Sequence, residues 1–230
     1  RTVEAFPGTG PFKHVKRVDK EVWVMEKNPN YWNKGLPYLD RLEIYHLAPW
    51  TPDVAAALLG GKVDYARTVD PVAAKKIKTM SNMTFMDFYQ SVIHALWVNN
   101  TKKPLNDPRV RRAMHLALDR HALVDVVKDV TPTLVGGFTY PFSEFASSVE
   151  EQGKLLGYQR DATAAIKEAR ALLAAAGYAQ GLKGLDFLVR ELAHHKLWSV
   201  ALQAMLRENL NVETNLRPVQ TSVWFDDAQA

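Results

Sequence analysis

Cysteine is missing from all 230 residues, so the chain has no structural disulfide, no thiolate metal site and no thiol nucleophile. That absence says little about compartment. An apolar run long enough to cross a bilayer is lacking too. The opening "RTVEAFPGTGPF" has neither the basic start nor the apolar centre of a signal peptide. Charge of one sign is scarce: 29 Lys and Arg against 25 Asp and Glu leave a net +4, too small a surplus for a dedicated polyanion surface. Catalytic signatures are absent as well. There is no Gly-x-Ser-x-Gly elbow and no His-Glu-x-x-His pair, and neither "GTGPF" nor "GGKVD" continues into the Lys-Ser/Thr of a phosphate loop. His194-His195 is the most metal-like feature, but adjacent residues point to different sides of a helix, which suits a surface or capping role better than a zinc site. No catalytic residue, metal ligand or cofactor is expected, and the chain reads as non-enzymatic.

What is present is an ordinary globular composition, 47% hydrophobic, enough for one large domain or two small ones. Phe12 to Val18 and Glu21 to Glu26 are β-rich runs joined by the polar "RVDK", as in a hairpin, and Leu42 to Leu47 is a third strand after the breakers of "KNPNYWNKGLPYLD". Thr51 and Pro52 open a short helix that Gly60-Gly61 ends. "KVDYARTV" then reads as a strand, Asp70 to Met80 as a helix capped by Asp70, and "MTFMDFY" and "IHALWVNN" as further strands.

From Asn106 the pattern becomes mostly helical. Asp107 and Pro108 start a helix with Val110, Ala113, Met114, Ala117 and Leu118 on its buried face, and Asp119 caps another carrying Leu123, Val124 and Val127. Pro132 to Val149 reads as an ordered loop. Asp161 starts a helix with the stripe Ala165, Ala169, Leu172, Leu173 and Ala176, and Gly177 is its left-handed terminator. "GLDFLVRE", "HHKLWSVALQAMLRENL" and "NVETNLRPV" form a strand, helix, strand unit, for which parallel strands and a right-handed crossover are expected. Arg109, Arg111, Arg112 and His115 occupy the open face of their helix, and two readings stand. One is a solvated basic face with arginines paired to local carboxylates. The other is an arginine-rich recognition helix of a nucleic-acid-binding or regulatory domain, whose binding would weaken steeply with salt.

Five segments in order, "GTGPF" (Gly8 to Phe12), "KNPNYWNKGLPYLDRLEIYHL" (Lys27 to Leu47), "AALLGGKVDYA" (Ala56 to Ala66), "NNTKKPLNDPRVRRAMHLALDR" (Asn99 to Arg120) and "AIKEARALLAAAGY" (Ala165 to Tyr178), span nearly the whole chain. Together they resemble the peptide-, dipeptide- and nickel-binding solute receptors of bacterial ATP-driven importers, the extracellular family 5. The resemblance implies an α/β, two-lobe periplasmic-binding-protein-like fold of class II, present here as an incomplete middle piece of a longer member. Residues 1–92 would form part of lobe I and residues 93–230 the N-terminal part of lobe II. It also implies that the arginine-rich segment is a scaffold helix of lobe II. The function implied is capture of a peptide or similar small solute between two hinged lobes and delivery to a membrane permease, with no nucleic acid and no membrane span, in the periplasm or outside the cell. Oligopeptides, dipeptides, opines, sugars and nickel chelates all remain open as ligands.

By that architecture, strand ends and loops facing the cleft carry recognition. The candidate contacts are Tyr65, Arg67 and Thr68, then His94, Trp97 and Asn99, then Phe138 and Tyr140. Arg67 suits a ligand carboxylate through its bidentate fork. Each has a plainer alternative: Tyr65 as lobe-I core, Arg67 as a surface ion pair, Trp97 as hinge packing, Asn99 as a turn residue, and Phe138 and Tyr140 as packing within their own loop.

Overall fold

The computed structural model describes residues 8–67, 69–86, 93–128, 133–139 and 142–229, and the chain divides into two compact units between Ser81 and Asn82. In the first unit β1 (Phe12–Val18), β2 (Val22–Lys27) and β3 (Arg41–Tyr45) form an antiparallel sheet with β2 in the middle. The period of two is visible in β2, where Val22 and Val24 are buried and Trp23 between them is exposed. Trp23 stands opposite Ile44 of β3, and its indole N–H donates to His14 Nδ1 of β1 at 2.8 Å.

Two short helices follow, α1 (Pro52–Leu59) and α2 (Pro71–Ile77). Pro52 takes the first helical turn as expected, but Thr51 does not cap it: the hydroxyl donates to the carbonyl of Ala48 at 2.7 Å. Asp70 does cap α2, its Oδ1 accepting from Ala73 N–H at 3.0 Å. That helix stops at Ile77, short of the expected Met80.

Three sequence-based strands need correction. Residues 62–67, 83–86 and 93–99 carry no ladder hydrogen bonds. β-rich composition favours an extended backbone, but a strand exists only where a neighbour supplies its partner groups, and the described chain supplies none to these runs. Residues 93–99 still keep the alternation: His94, Leu96 and Val98 are half-buried, while Ile93, Ala95, Trp97 and Asn99 are exposed.

The second unit contains α3 (Pro108–Leu116), α4 (Arg120–Val127), α5 (Val149–Gly153), α6 (Thr163–Ala175), β4 (Leu182–Arg190), α7 (Ala193–Leu210), β5 (Val212–Val219) and α8 (Thr221–Gln229). β4 and β5 are parallel and joined through α7, so the expected β-α-β unit is present. Asp107 Oδ1 accepts from Arg109 N–H, and Asp119 Oδ1 accepts from both His121 and Ala122 N–H, which are the two caps read from the sequence. Ala162 takes the cap position of α6, while Asp161 accepts from Thr163 N–H at 2.9 Å. Gly177 has φ of +91°, as a left-handed terminator requires.

α7 is the hub. It packs on β4 and β5 and against α4 and α6, while α3 packs on α6 and α8 on β4. Its buried positions Ser199, Leu202, Leu206 and Leu210 recur at spacings of three and four and face the sheet and helices. The core joins Leu206, Leu210, Val212 and Leu182 to Val110, Ala113, Met114, Leu116 and Ala117 of the α3 region and to Ala165, Ala169 and Leu173 of α6. Where α7 turns into β5, Asn211 adopts the left-handed conformation at φ 54° and its carbonyl is so near Gly181 that a Cβ there would lie 2.1 Å from it. Glycine is thus required at 181 by close approach as well as by its φ of +91°.

Candidate ligand-recognition site

The guanidinium donors of the arginine-rich helix are engaged with the protein itself. Arg109 forks onto the Asp107 carboxylate at 2.6 Å and also donates to the carbonyl of Ala175, the last residue of α6, at 2.7 Å. Arg111 donates to the carbonyls of Leu105 and Asn106, and Arg112 lies 3.9 Å from Glu168. Arg120 spans the Leu118 and Gly157 carbonyls and stacks over the Tyr158 ring at 4.4 Å. Guanidinium groups committed to helix ends and a neighbouring ring are scaffold, since phosphate readers present theirs outward. The Asp107 carboxyl is held below the usual carboxylate range, chiefly by the Arg109 side-chain hydrogen bond.

A second cluster gathers at the carboxyl ends of β4 and β5, where open α/β sheets place their ligands. Arg190 ends β4, His194 and His195 lie in the first turn of α7, and Thr221 and Trp224 lie at the start of α8. The extended run 93–99 completes it. His94 is 6.0 Å from His194 and 6.1 Å from His195, ring to ring, and stacks on Trp198 at 4.7 Å. His194 and His195 are themselves 4.5 Å apart. The surface or capping role expected for this histidine pair is therefore corrected: both rings are half-buried and converge on His94. Among the described residues no group of three ligating side chains has the geometry to hold a metal ion.

All three imidazoles have depressed pKa values. Burial is the main cause for each, and for His195, pushed down to about 4, His194, Arg190 and His94 add positive charge. At neutral pH they are uncharged rings, each able to donate and accept. Trp198 Nε1 is buried and meets no acceptor among the described residues. Arg190 donates from Nε to Thr221 Oγ1 at 3.3 Å and lies over the Phe225 ring at 5.6 Å. Trp97 stands edge-on to Trp224 at 6.5 Å and is 77% exposed.

The sequence-based contacts divide accordingly. His94 and Trp97 belong to this cluster. Asn99 turns inward on its own loop, Oδ1 accepting from the backbone N–H and the hydroxyl of Thr101 at 3.0 and 2.6 Å. Phe138 is 89% exposed in the second unit, and Tyr65, 72% exposed in the first, is no core residue of that unit. Arg67 is exposed in the first unit. Thr68 and Tyr140 lie outside the described residues. Arg190 and Trp224 were not singled out from sequence, and His194 and His195 were read only as a surface or capping pair. The signal was available for Arg190, which stands next to the end of the expected parallel strand "GLDFLVRE".

A parallel strand pair crossed by a long helix, with polar and aromatic groups collected at the strand carboxyl ends, is an α/β architecture of the kind that places ligands at those ends. The whole of residues 1–230 matches the family model described as "Bacterial extracellular solute-binding proteins, family 5 Middle", and the chain belongs to that family, as the resemblance implied. It is 29% identical over 220 residues to the periplasmic oligopeptide-binding protein OppA of Salmonella typhimurium, covering 94% of this chain and 39% of that protein. It is 28% identical over 181 residues to the glutathione-binding protein GsiB of Pectobacterium atrosepticum, covering 76% of this chain and 32% of that protein. A crystal structure of a periplasmic oligopeptide-binding protein from Borrelia burgdorferi shares the fold with a TM-score of 0.72 at 24% identity, over 95% of this chain and 42% of that one. The chain thus spans 39% or less of the length of these two curated relatives. The expected fold class, α/β and periplasmic-binding-protein-like, is borne out.

Proposed function

We propose that this chain is part of the solute-binding component of an ATP-driven importer, which captures a peptide or similar small solute between two lobes and delivers it to a membrane permease. Membership of the solute-binding family carries the reading, and the named ligands of its relatives, oligopeptides and glutathione, point to peptides. In this reading residues 1–92 belong to lobe I and residues 93–230 to lobe II, and the protein works in the periplasm or on the cell exterior without chemistry of its own. No helix among the described residues is long and apolar enough to cross a membrane. His94 and Trp97 are the favoured ligand contacts, with Tyr65, Arg67, Thr68, Asn99, Phe138 and Tyr140 as further candidates for the cleft walls. Nothing favours the nucleic-acid alternative, since the arginines it needs are bonded within the fold.

The test uses the full-length protein, purified without refolding and then denatured, with the released small molecules identified by mass spectrometry. Short peptides of mixed sequence support the reading. A single non-peptide compound keeps the receptor role and changes its substrate, and an empty protein that no peptide pool stabilises overturns the peptide assignment.

A further inference from the structure

Residues 93–99 carry no ladder hydrogen bonds. Among the described residues they are held to the second unit by Leu96, packed against the core, and by rings. His94 stacks on Trp198 at 4.7 Å and faces His194 and His195 at 6.0 and 6.1 Å, and Trp97 meets Trp224 edge-on at 6.5 Å. The other side of these contacts is anchored, since α7 buries Ser199, Leu202, Leu206 and Leu210 along its length. A segment docked mainly through rings is the part that yields if those rings come to repel one another.

The charges around the cluster favour that repulsion. Arg190 ends β4, and His194 and His195 stand in the first turn of α7, where free N–H groups disfavour a cation. The acids of the neighbouring elements are committed elsewhere or turned to solvent. Glu191 faces Lys196 at 3.8 Å, Asp186 of β4 faces Arg217 of β5 at 3.2 Å, Asp125 of α4 faces Lys128 at 3.1 Å, and Asp226 and Asp227 of α8 are exposed. The charges acting on His194 and His195 are those of Arg190, His94 and, on His195, His194, with no carboxylate to offset them. One imidazolium is tolerated, because a charged His94 over the Trp198 face is a cation–π pair. A second arrives one ring contact away, beside Arg190, with no anion between. We infer that the contact between residues 93–99 and the start of α7 is an acid-opened latch: at neutral pH uncharged rings hold the segment closed, and a second protonation drives it off α7 while the core stays folded. The open segment restores ordinary imidazole basicity, so falling pH favours the open form. Opening takes up more than one proton and is steep, between about 6.5, where a free imidazole charges, and about 4. Since His94 and Trp97 are the favoured ligand contacts of the proposed function, opening withdraws them and weakens binding, and only this consequence rests on that reading.

The test uses the full-length protein without solute, labelled with fluorotryptophan and followed by fluorine NMR, with the Trp198 resonance assigned by its loss in Trp198→Phe. Trp198 Nε1 is buried, so at about pH 7.5 this resonance should barely shift between light and heavy water. At about pH 4.5 a solvent-isotope shift should appear, reversibly and with a slope exceeding one proton, while far-ultraviolet circular dichroism is unchanged. A Trp198 resonance still shielded there, or exposed only as circular dichroism is lost, overturns the latch. The double variant His194→Gln with His195→Gln keeps the His94 stack and removes the charges that oppose it, so Trp198 should stay shielded on acidification. Exposure of Trp198 as in the wild type also overturns the latch, and if the variant folds poorly the wild-type titration decides alone. Calorimetry with short alanine-based peptides then tests the consequence: a segment about nine-tenths open at acid pH predicts roughly tenfold weaker binding than at neutral pH. Unchanged affinity beside an opened segment overturns that consequence, whereas absence of peptide binding at every pH overturns the peptide reading and leaves the latch standing on the fluorine titration.

Discussion

The two compact units are held together differently. In the second, residues from α3, α6, β4, α7 and β5 share a continuous buried core, from Val110 to Val212. In the first, the buried apolar side chains among the described residues are Val22 and Val24 in the sheet and Val54, Ala55 and Ile77 in the helices, while Val15, Trp23 and Ile44 remain exposed on the strands. A three-stranded sheet with one thinly covered face is a weak source of hydrophobic stabilisation, whereas a β-α-β unit layered with four more helices is a strong one. The histidine and aromatic cluster at the carboxyl ends of β4 and β5 is built on the better-packed unit, which is where side chains are held most firmly in position.

The largest expected effect tests that contrast directly. Leu206→Ala, at a 1% exposed position on the buried face of α7, should cost about 2–5 kcal/mol in denaturant unfolding. Val24→Ala in the sheet, at 2% exposure, should cost about 1.5 kcal/mol. Equal losses would break the comparison. Gly181→Ala comes next: a Cβ driven against the Asn211 carbonyl at positive φ should cost about 3 kcal/mol and loosen the α7–β5 junction, seen as faster amide exchange in Val212. Asp119→Ala removes the cap of α4 and should cost about 1 kcal/mol, with Asp119→Asn recovering most of it.

A smaller contribution should appear on acidification. His94, His194 and His195 are held neutral in the fold, so below pH about 6.5 the unfolded chain takes up protons that the folded one refuses. Their stabilising contribution is complete above that pH and declines as pH falls toward about 4, the value reached by His195. Partial exposure of the rings limits its size. Chemical unfolding of the wild type and of a triple glutamine variant across this range should converge at low pH, and parallel curves would show that the rings titrate freely.

What was legible in sequence was local. Caps at Asp70, Asp107 and Asp119, the left-handed Gly177 and the α6 stripe all depend on neighbours within one or two turns, and all are found. Strands at 62–67, 83–86 and 93–99 were over-read because composition records extended preference but not the partner that makes a ladder. α5 was missed although Ser148 and Glu151 form a capping box, a spacing that stood in the sequence where the stretch read as loop ends at Val149. At the site, His94 and Trp97 were reached through the family resemblance, which puts recognition on strand ends and loops facing a cleft. Their meeting with His194, His195 and Trp224, more than 90 residues away, needed the tertiary structure.

The most direct measurement is calorimetric titration of the full-length protein, stripped of bound solute by unfolding and refolding, with a pool of short peptides at low and physiological salt. A receptor that traps peptides predicts saturable binding with a negative heat-capacity change and only modest salt dependence. No heat and no thermal stabilisation with any peptide pool, beside a protein shown to be refolded, would contradict it.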